Sequence, residues 1–196
     1  MNNRNGMTWS QYNEKTKNKP IRPLLLKSLE LFDGYKGNAV EIGSGAGNES
    51  IFLHNNGWNV LAVDKNLDGL NNLQKEYPQI QILNDAFENL NKLPECDLVF
   101  SAYSIPFCEP QYFNEFIDTL LKSLKTNGRF AGNFFGLNDE WAKLNTDMTF
   151  CTAEKTKSFF GKFEIEYFNE DEFIGKIANG EEKYWHTINI IARKIK

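Results

Sequence analysis

The sequence predicts an α/β fold: a mostly parallel sheet of seven strands, with helices on both faces and an antiparallel pair of strands closing its C-terminal edge. Three observations carry that expectation. Between residues 38 and 135, short apolar runs alternate with helix-length stretches. Alternation at this spacing gives parallel strands joined by right-handed crossovers. Glycine or proline punctuates most junctions. After Phe160 the pattern changes to aromatic and β-branched segments, Lys162 to Asn169 and Lys183 to Arg193, joined through Gly175 and Asn179-Gly180. Such segments suit an antiparallel pair.

Taken in order, the first twenty residues form a polar lead-in carrying two aromatics, Trp9 and Tyr12. Pro20 and Pro23 stand where a helix can begin, and Leu24 to Phe32 has helical apolar spacing. Asp33-Gly34 and Lys36-Gly37 break it. Asn38 to Ile42 is the first strand, followed by a glycine-rich turn and a helix from about Asn48 to Asn56 that Gly57 stops. Trp58 to Val63 is the second strand. Leu67 to Tyr77 is a helix ended by Pro78, and Ile80 to Leu83 and Asp97 to Ala102 are the third and fourth strands. Gln111 to Leu124 is an amphipathic helix ended near Asn127-Gly128. Arg129 to Phe135 is the fifth strand, and Ala153 to Phe160 a further helix. Residues 1–37 read as a segment covering the site and 38–196 as the domain proper, one globular unit overall.

With 196 residues, 41% of them hydrophobic and 24% charged, the chain has the composition of an ordinary globular protein. Its formal charge of −4 argues against a dedicated nucleic-acid binder, which needs clustered Lys and Arg. Cys96, Cys108 and Cys151 are widely spaced and odd in number, which suits neither a zinc site nor a disulfide framework and fits a reducing compartment. No apolar run approaches the length of a membrane span, and the polar N-terminus lacks the core of a signal peptide. A cytoplasmic protein without a metal, working as a monomer or weak homodimer, is the expectation.

In parallel sheets ligands bind beyond the carboxyl ends of the strands, at the point where strand order reverses. The segment Ala39-Val40-Glu41-Ile42-Gly43-Ser44-Gly45-Ala46-Gly47-Asn48-Glu49-Ser50 puts alternate glycines directly after a buried strand and before a helix. Glycine accepts positive φ and lets a ligand approach the main chain; the helix points its first amides at that ligand. The spacing is GxGxG, where dinucleotide folds use GxGxxG. Glu41, just ahead of the turn, would repel a pyrophosphate and suits a cationic ligand. S-adenosylmethionine has a sulfonium, an ammonium and no phosphate. Asp64 ends the second strand about twenty residues on, where an acid suits the hydroxyls of a ribose.

With VEIGSGAGNES, AVDKN and DLVFSAYSIPF, the chain resembles class I S-adenosylmethionine-dependent methyltransferases, which are Rossmann-like. More narrowly, through WSQYNEKTKNKPIRPLL, SIPFCEP, GRFAGNFFG and YWHTINIIARK, it resembles bacterial small-molecule methyltransferases of the tellurite-resistance-like group. The resemblance implies S-adenosylmethionine as cofactor and a small-molecule methyl acceptor, such as a thiol, a metalloid or another soft nucleophile. It implies that Gly43, Ser44, Gly45 and Gly47 lie against the methionine part and ribose. Glu41 would then hold the ammonium and Asp64 the ribose, with Lys65 beside the adenosine. Asp85 would accept from the adenine amino group, or act only as a helix cap, with Ala86 and Phe87 on the ring. Ser101 would lie near the sulfonium. Tyr103, Ser104 and Phe107 would face the transfer chamber, Arg22 would pair with the methionine carboxylate, and Trp9 and Tyr12 would close the site or merely pin the terminus.

Ser104-Ile105-Pro106-Phe107 imitates poorly the acid-or-amide, double-proline motif of nucleic-acid amino methyltransferases. Phe135 and Trp141 suit an acceptor pocket or the core. His54 reads as structural, and His186 as a sheet residue or a substrate contact. No residue is a clear general base. Two alternatives remain: an NAD-linked oxidoreductase on a similar sheet, and a module that binds the cofactor without catalysis.

Overall fold

The computed structural model describes residues 8–144 and 147–196, so residues 1–7 of the lead-in lie outside it. The chain runs α1 (Trp9–Thr16), α2 (Pro23–Glu30), β1 (Asn38–Ile42), α3 (Asn48–Asn55), β2 (Asn59–Asp64), α4 (Leu67–Glu76) and β3 (Gln81–Asn84). It continues with β4 (Cys96–Ser101), α5 (Pro110–Ser123), β5 (Leu124–Phe135), α6 (Ala153–Phe159), β6 (Phe163–Lys176) and β7 (Glu182–Lys194). The strands form one sheet in the order β3-β2-β1-β4-β5-β7-β6. β1 to β5 are parallel, and β7 is antiparallel to both β5 and β6. This is the Rossmann-like arrangement expected.

Alternation along each strand builds two cores. Val40, Ile42 and Val99 face one side with Phe113, Phe116 and Leu120 of α5. Ala39, Leu98 and Phe100 face the other with Leu25 of α2, Leu53 of α3 and Leu70 and Leu73 of α4. Trp58, 1% exposed, meets Phe32 edge-on at 5.0 Å. An aromatic pair of this kind adds about 0.5–1.5 kcal/mol to what burial alone contributes. None of the described helices is long and apolar enough to cross a membrane.

Three elements differ from the sequence expectation. The polar lead-in contains a helix, α1, begun by a reciprocal cap: Thr8 Oγ1 accepts from Gln11 N–H, and Gln11 Oε1 accepts from Thr8 N–H. Strand β5 starts at Leu124, five residues early, because Lys125 to Gly128 form an irregular step between the Cys96–Leu124 and Leu98–Arg129 pairings. The C-terminal pair is far longer than expected. β6 runs on through Gly175 to Lys176, paired with β7 along its length, and turns only at 177–181. That ribbon reaches past the carboxyl end of the sheet.

The seam between β5 and this ribbon is closed by Gly136, whose N–H donates to the His186 carbonyl at 2.8 Å. A Cβ at Gly136 would stand 2.2 Å from ring atoms of the buried His186. Gly136→Ala is therefore expected to cost about 1–3 kcal/mol of stability through overpacking, read as a lowered midpoint in urea denaturation with an unchanged slope.

Candidate active site

Strand order reverses between β1 and β4, and the glycine turn leaves β1 at that point. Gly43 and Ser44 donate their N–H groups to the Val63 carbonyl at 2.8 and 3.1 Å, which folds the turn against β2. Gly43 and Gly47 have φ of 72° and 80°. A Cβ at Gly43 would stand 2.3 Å from Ser104, and one at Gly47 would stand 2.8 Å from Leu73. Both the backbone conformation and the close approach exclude larger residues. Gly47 then opens α3 as its N-cap.

A cavity of about 350 Å³ lies over this turn, within the range of about 300–1,000 Å³ typical of ligand pockets. Glu41, Glu49 and Asp64 all line it. Glu41 and Glu49 are buried, and Asp64 is half-buried. Asp64 Oδ2 accepts from Gly45 N–H and Oδ1 from Asn66 N–H, both at 2.8 Å, so this acid also holds the turn in shape. Glu41 accepts from the Ser50 hydroxyl. Burial raises all three carboxyls above their ordinary range, and Glu41 furthest, where the Glu49 charge adds to burial. Against them stands Arg22: its charge works opposite to burial at Glu49, and its backbone N–H donates to Glu49 Oε1 at 3.3 Å. Ser44 Oγ, 5% exposed as a residue and lining the cavity, has no hydrogen-bond partner among the described residues.

The opposite end of the cavity is aromatic. Tyr103 follows β4 with φ of 56°, a left-handed backbone that costs a bulky residue about 1–3 kcal/mol and tends to mark functional sites. Its N–H is taken by Asn133 Oδ1 at 3.3 Å. The ring then faces Trp185 at 5.5 Å and Phe135 at 6.1 Å, with the Arg22 guanidinium 4.8 Å from its centre. Phe107 touches Trp9 of α1 at 5.7 Å and Trp141 at 6.0 Å. The ribbon covers this end: Phe173 and Gly175 to Ala178 line the cavity.

Of the sequence candidates, Glu41, Gly43, Ser44, Gly45, Asp64, Lys65, Phe87, Arg22, Tyr12, Trp9, Tyr103, Ser104 and Phe107 line this one cavity, as do Phe135 and Trp141. Gly47 stands behind the turn, against Leu73. Asp85, Ala86 and Ser101 lie outside the lining. Asp85 Oδ1 takes Ala86 N–H and Asn89 Nδ2, as a local cap does. The Ser101 hydroxyl is fully buried and donates to the Ile42 carbonyl at 3.0 Å. His54 ends α3 against Tyr77. His186 is a sheet residue off the cavity, with Nε2 2.8 Å from Glu170 Oε1. Glu49, Asn13 and Thr16, the tip of the ribbon and Trp185 were not singled out in the sequence. Thr8 and Gln11, the capping pair, were the available signal for α1.

The fold is the one shared by solved S-adenosylmethionine-dependent methyltransferases. The sequence profile of the family described as tellurite resistance protein TehB matches residues 10–186, and the chain belongs to that family. Among solved structures the chain is similar to TehB from Haemophilus influenzae, with a TM-score of 0.77 and 15% identity over 96% of this chain and 68% of that one. It is also similar to a SAM-dependent methyltransferase from Methanosarcina mazei (TM-score 0.69, 17% identity, 90% of this chain and 99% of that one). A third is the N-methyltransferase NodS from Bradyrhizobium japonicum WM9 (TM-score 0.68, 15% identity, 95% and 97%). No curated protein sequence matches the chain.

The acid cluster has a measurable consequence. A carboxyl raised on folding binds protons more readily in the folded than in the unfolded state. Its penalty is absent below the unfolded value, grows as pH rises between the two values, and is complete above the folded one. The free protein should therefore lose stability from pH 5 to pH 8. Glu41→Gln keeps an acceptor for Ser50 and removes a buried charge. It should flatten that loss and raise the melting temperature at pH 8, as followed by thermal melts across the pH range.

Proposed function

We propose that the acid-lined end of the cavity holds the cofactor and that the aromatic end receives a small, soft nucleophile as methyl acceptor. The observation that carries this reading is the enclosure of Glu41, Glu49 and Asp64 around the glycine turn in one cavity. Three carboxylates there oppose a diphosphate and favour a cationic, phosphate-free nucleoside, which weighs against the NAD-linked alternative. When bound, S-adenosylmethionine supplies a methyl group activated by its sulfonium. NodS has also been solved with S-adenosyl-L-homocysteine.

The chain's own groups would divide the work as follows. Each Asp64 oxygen already accepts one backbone N–H and keeps a second lone pair for a ribose hydroxyl. Glu41 and Glu49 offset the ammonium and sulfonium. Arg22 and Tyr12 meet the methionine carboxylate, and the bare Ser44 hydroxyl and the Gly43–Gly47 backbone take the cofactor's polar edge. Phe87 and Lys65 flank the adenine and ribose, with Asp85 and Ala86 at the rim. Ser101 acts from behind by fixing the carbonyl of Ile42, where the turn begins. Trp9, Tyr103, Ser104 and Phe107 exclude water from the reacting atoms; orientation and a dry site are what the protein contributes to an in-line displacement. Residues 1–37 serve as a cover for the domain formed by 38–196. A cytoplasmic monomer or weak homodimer suits a protein of this charge and cysteine content.

Asp64→Ala removes both the ribose acceptor and the clamp on Gly45. Hydrogen bonds to a charged group contribute about 1.5–3 kcal/mol, so affinity for S-adenosylmethionine should fall by at least about tenfold in calorimetry. Unchanged affinity would count against the assignment, as would a rise in melting temperature with NADH equal to that with S-adenosylmethionine. Binding a cation also lowers the raised carboxyls. Protons should be released on binding at pH values above the ordinary carboxylate range, where the raised groups still hold them, seen as heats that differ between buffers of different ionisation enthalpy, and affinity should weaken as pH falls.

A further inference from the structure

Tyr103 stands where the acid end of the cavity meets the aromatic end, and it is held there by a side chain that the cofactor reading does not use. Among the described residues, four that are not glycine have a positive φ: Asn18, Asp33, Tyr103 and Asn127. Asn and Asp tolerate the left-handed region, because their short polar side chains can bond locally; a bulky aromatic does not. Tyr103 is therefore the exception, and such a backbone persists only where its surroundings over-determine it. Main-chain pairing does not supply that hold. The parallel ladder of β4 with β5 ends at Ser101 and Gly132, so the Tyr103 N–H lies past its last rung. Asn133, the next residue of β5, takes that N–H on Oδ1 at 3.3 Å.

Asn133 is a costly residue to place at this point. It is 3% exposed, and the other residues from Phe130 to Phe135 are apolar or glycine. A buried amide is tolerated only when it is bonded, and here both halves are engaged. A backbone N–H can only donate, so Oδ1 turns to Tyr103, while Nδ2 donates to Asn189 Oδ1 on β7. The amide cannot turn over without breaking both bonds. Asn189 stands directly opposite Asn133, and Asn169 of β6 directly opposite Asn189. Three asparagines thus share one row across β5, β7 and β6. Side chains alternate along a strand, so that row lies on the face that carries Phe135 and Trp185, two rings of the cavity wall. Tyr103 packs against both rings, at 6.1 and 5.5 Å, and against the Arg22 guanidinium at 4.8 Å. Burial holds its phenol above the usual range against the opposing charge of Arg22, so the ring stays neutral.

We infer that Asn133 is a positioning residue for methyl transfer: braced by Asn189, it fixes Tyr103 at the junction of the two ends, and the Tyr103 ring in turn orients the acceptor towards the methyl group. This rests on the methyltransferase reading above. Asn133 does not itself line the cavity, so its effect reaches the reacting atoms through Tyr103. In the transfer, a lone pair of the acceptor forms the new bond to the methyl carbon as the sulfonium–methyl bond breaks, and the bonding pair stays on the departing sulfur. An in-line displacement depends steeply on alignment, and a misplacement of about 1 Å can slow it on the order of a hundredfold. Losing the brace should therefore slow transfer and leave the acid-lined end as it is.

The test uses the full chain with its seven tyrosines replaced by 3-fluorotyrosine and followed by fluorine NMR, each line assigned by the matching Tyr→Phe variant. Asn133→Ala removes the brace. It should move the Tyr103 line and leave in place those of Tyr35, Tyr77 and Tyr112, which lie outside the cavity lining. Affinity for S-adenosylmethionine in calorimetry should stay within threefold. With benzenethiol as a small soft acceptor, whose thiol proton leaves to bulk water, kcat for methyl phenyl sulfide should fall at least tenfold. Asn133→Asp keeps an acceptor oxygen for the Tyr103 N–H and should recover both the Tyr103 line and most of the rate. A Tyr103 line unmoved by Asn133→Ala overturns the inference, as does a moved line with an unchanged rate, or equal losses in the two variants. Failure of the unaltered chain to bind S-adenosylmethionine overturns the methyltransferase reading instead. Binding without methylation of benzenethiol overturns the soft-acceptor reading, and the fluorine lines, which need no acceptor, then decide whether Asn133 holds Tyr103. Should Asn133→Ala not fold, Asn189→Ala, at a half-buried position, loosens the same brace and should give the same shift and slowing in smaller measure; wild-type lines and rate there overturn the inference.

Discussion

Glu41, Glu49 and Asp64 share one enclosed space, and much of the site follows from how the chain tolerates them. Isolated carboxylates cannot be buried cheaply, because the charged form loses its hydration. Here the cost is met with backbone N–H groups at Asp64, the Ser50 hydroxyl at Glu41 and the backbone and charge of Arg22 at Glu49. Those same donors shape the glycine turn and tie α2 to α3. The free protein thus carries three carboxyls whose charged forms burial disfavours.

The second organising feature is the way two peripheral elements close over the sheet. α1 is joined to the domain mainly by polar contacts: Asn13 to Asn66, Ser10 to Asp68, and Asn48 to the Thr16 carbonyl. The ribbon of β6 and β7 is joined by continuous pairing and aromatic packing. α1 is therefore the more loosely held of the two, since fewer apolar contacts mean a lower free energy of local opening, and the ribbon the stiffer.

What the sequence reveals is what local rules control. β1 to β4, the glycine turn, Glu41 and Asp64 are legible because strand periodicity and turn chemistry are properties of neighbouring residues. α1 escapes notice because the residues it buries are Asn13 and Thr16, which make no apolar stripe. β6 is hidden by Gly175 and by Glu170 to Glu172, which read as breakers but belong to an edge strand, where charge is tolerated and discourages pairing with another chain. Lys183 looks like an ordinary strand lysine. It meets Asp139, Trp141 and Phe135 from a distant segment as well as Trp185 beside it, and no local pattern announces that meeting. Ser101 and Asp85 sit where strand-end logic places them, yet their side chains serve the backbone.

The order of strands has a consequence for how the molecule is made. β7 follows β6 in the chain but lies between β5 and β6 in the sheet, so the edge of β5 away from β4 stays bare while residues 136–181 are being synthesised. Strands β1 to β5 can assemble as they leave the ribosome, whereas the aromatic chamber waits for β7 to slot in. Nascent chains stalled in that interval would present an open β5 border rich in phenylalanine, the kind of surface that chaperones capture and that otherwise seeds aggregation.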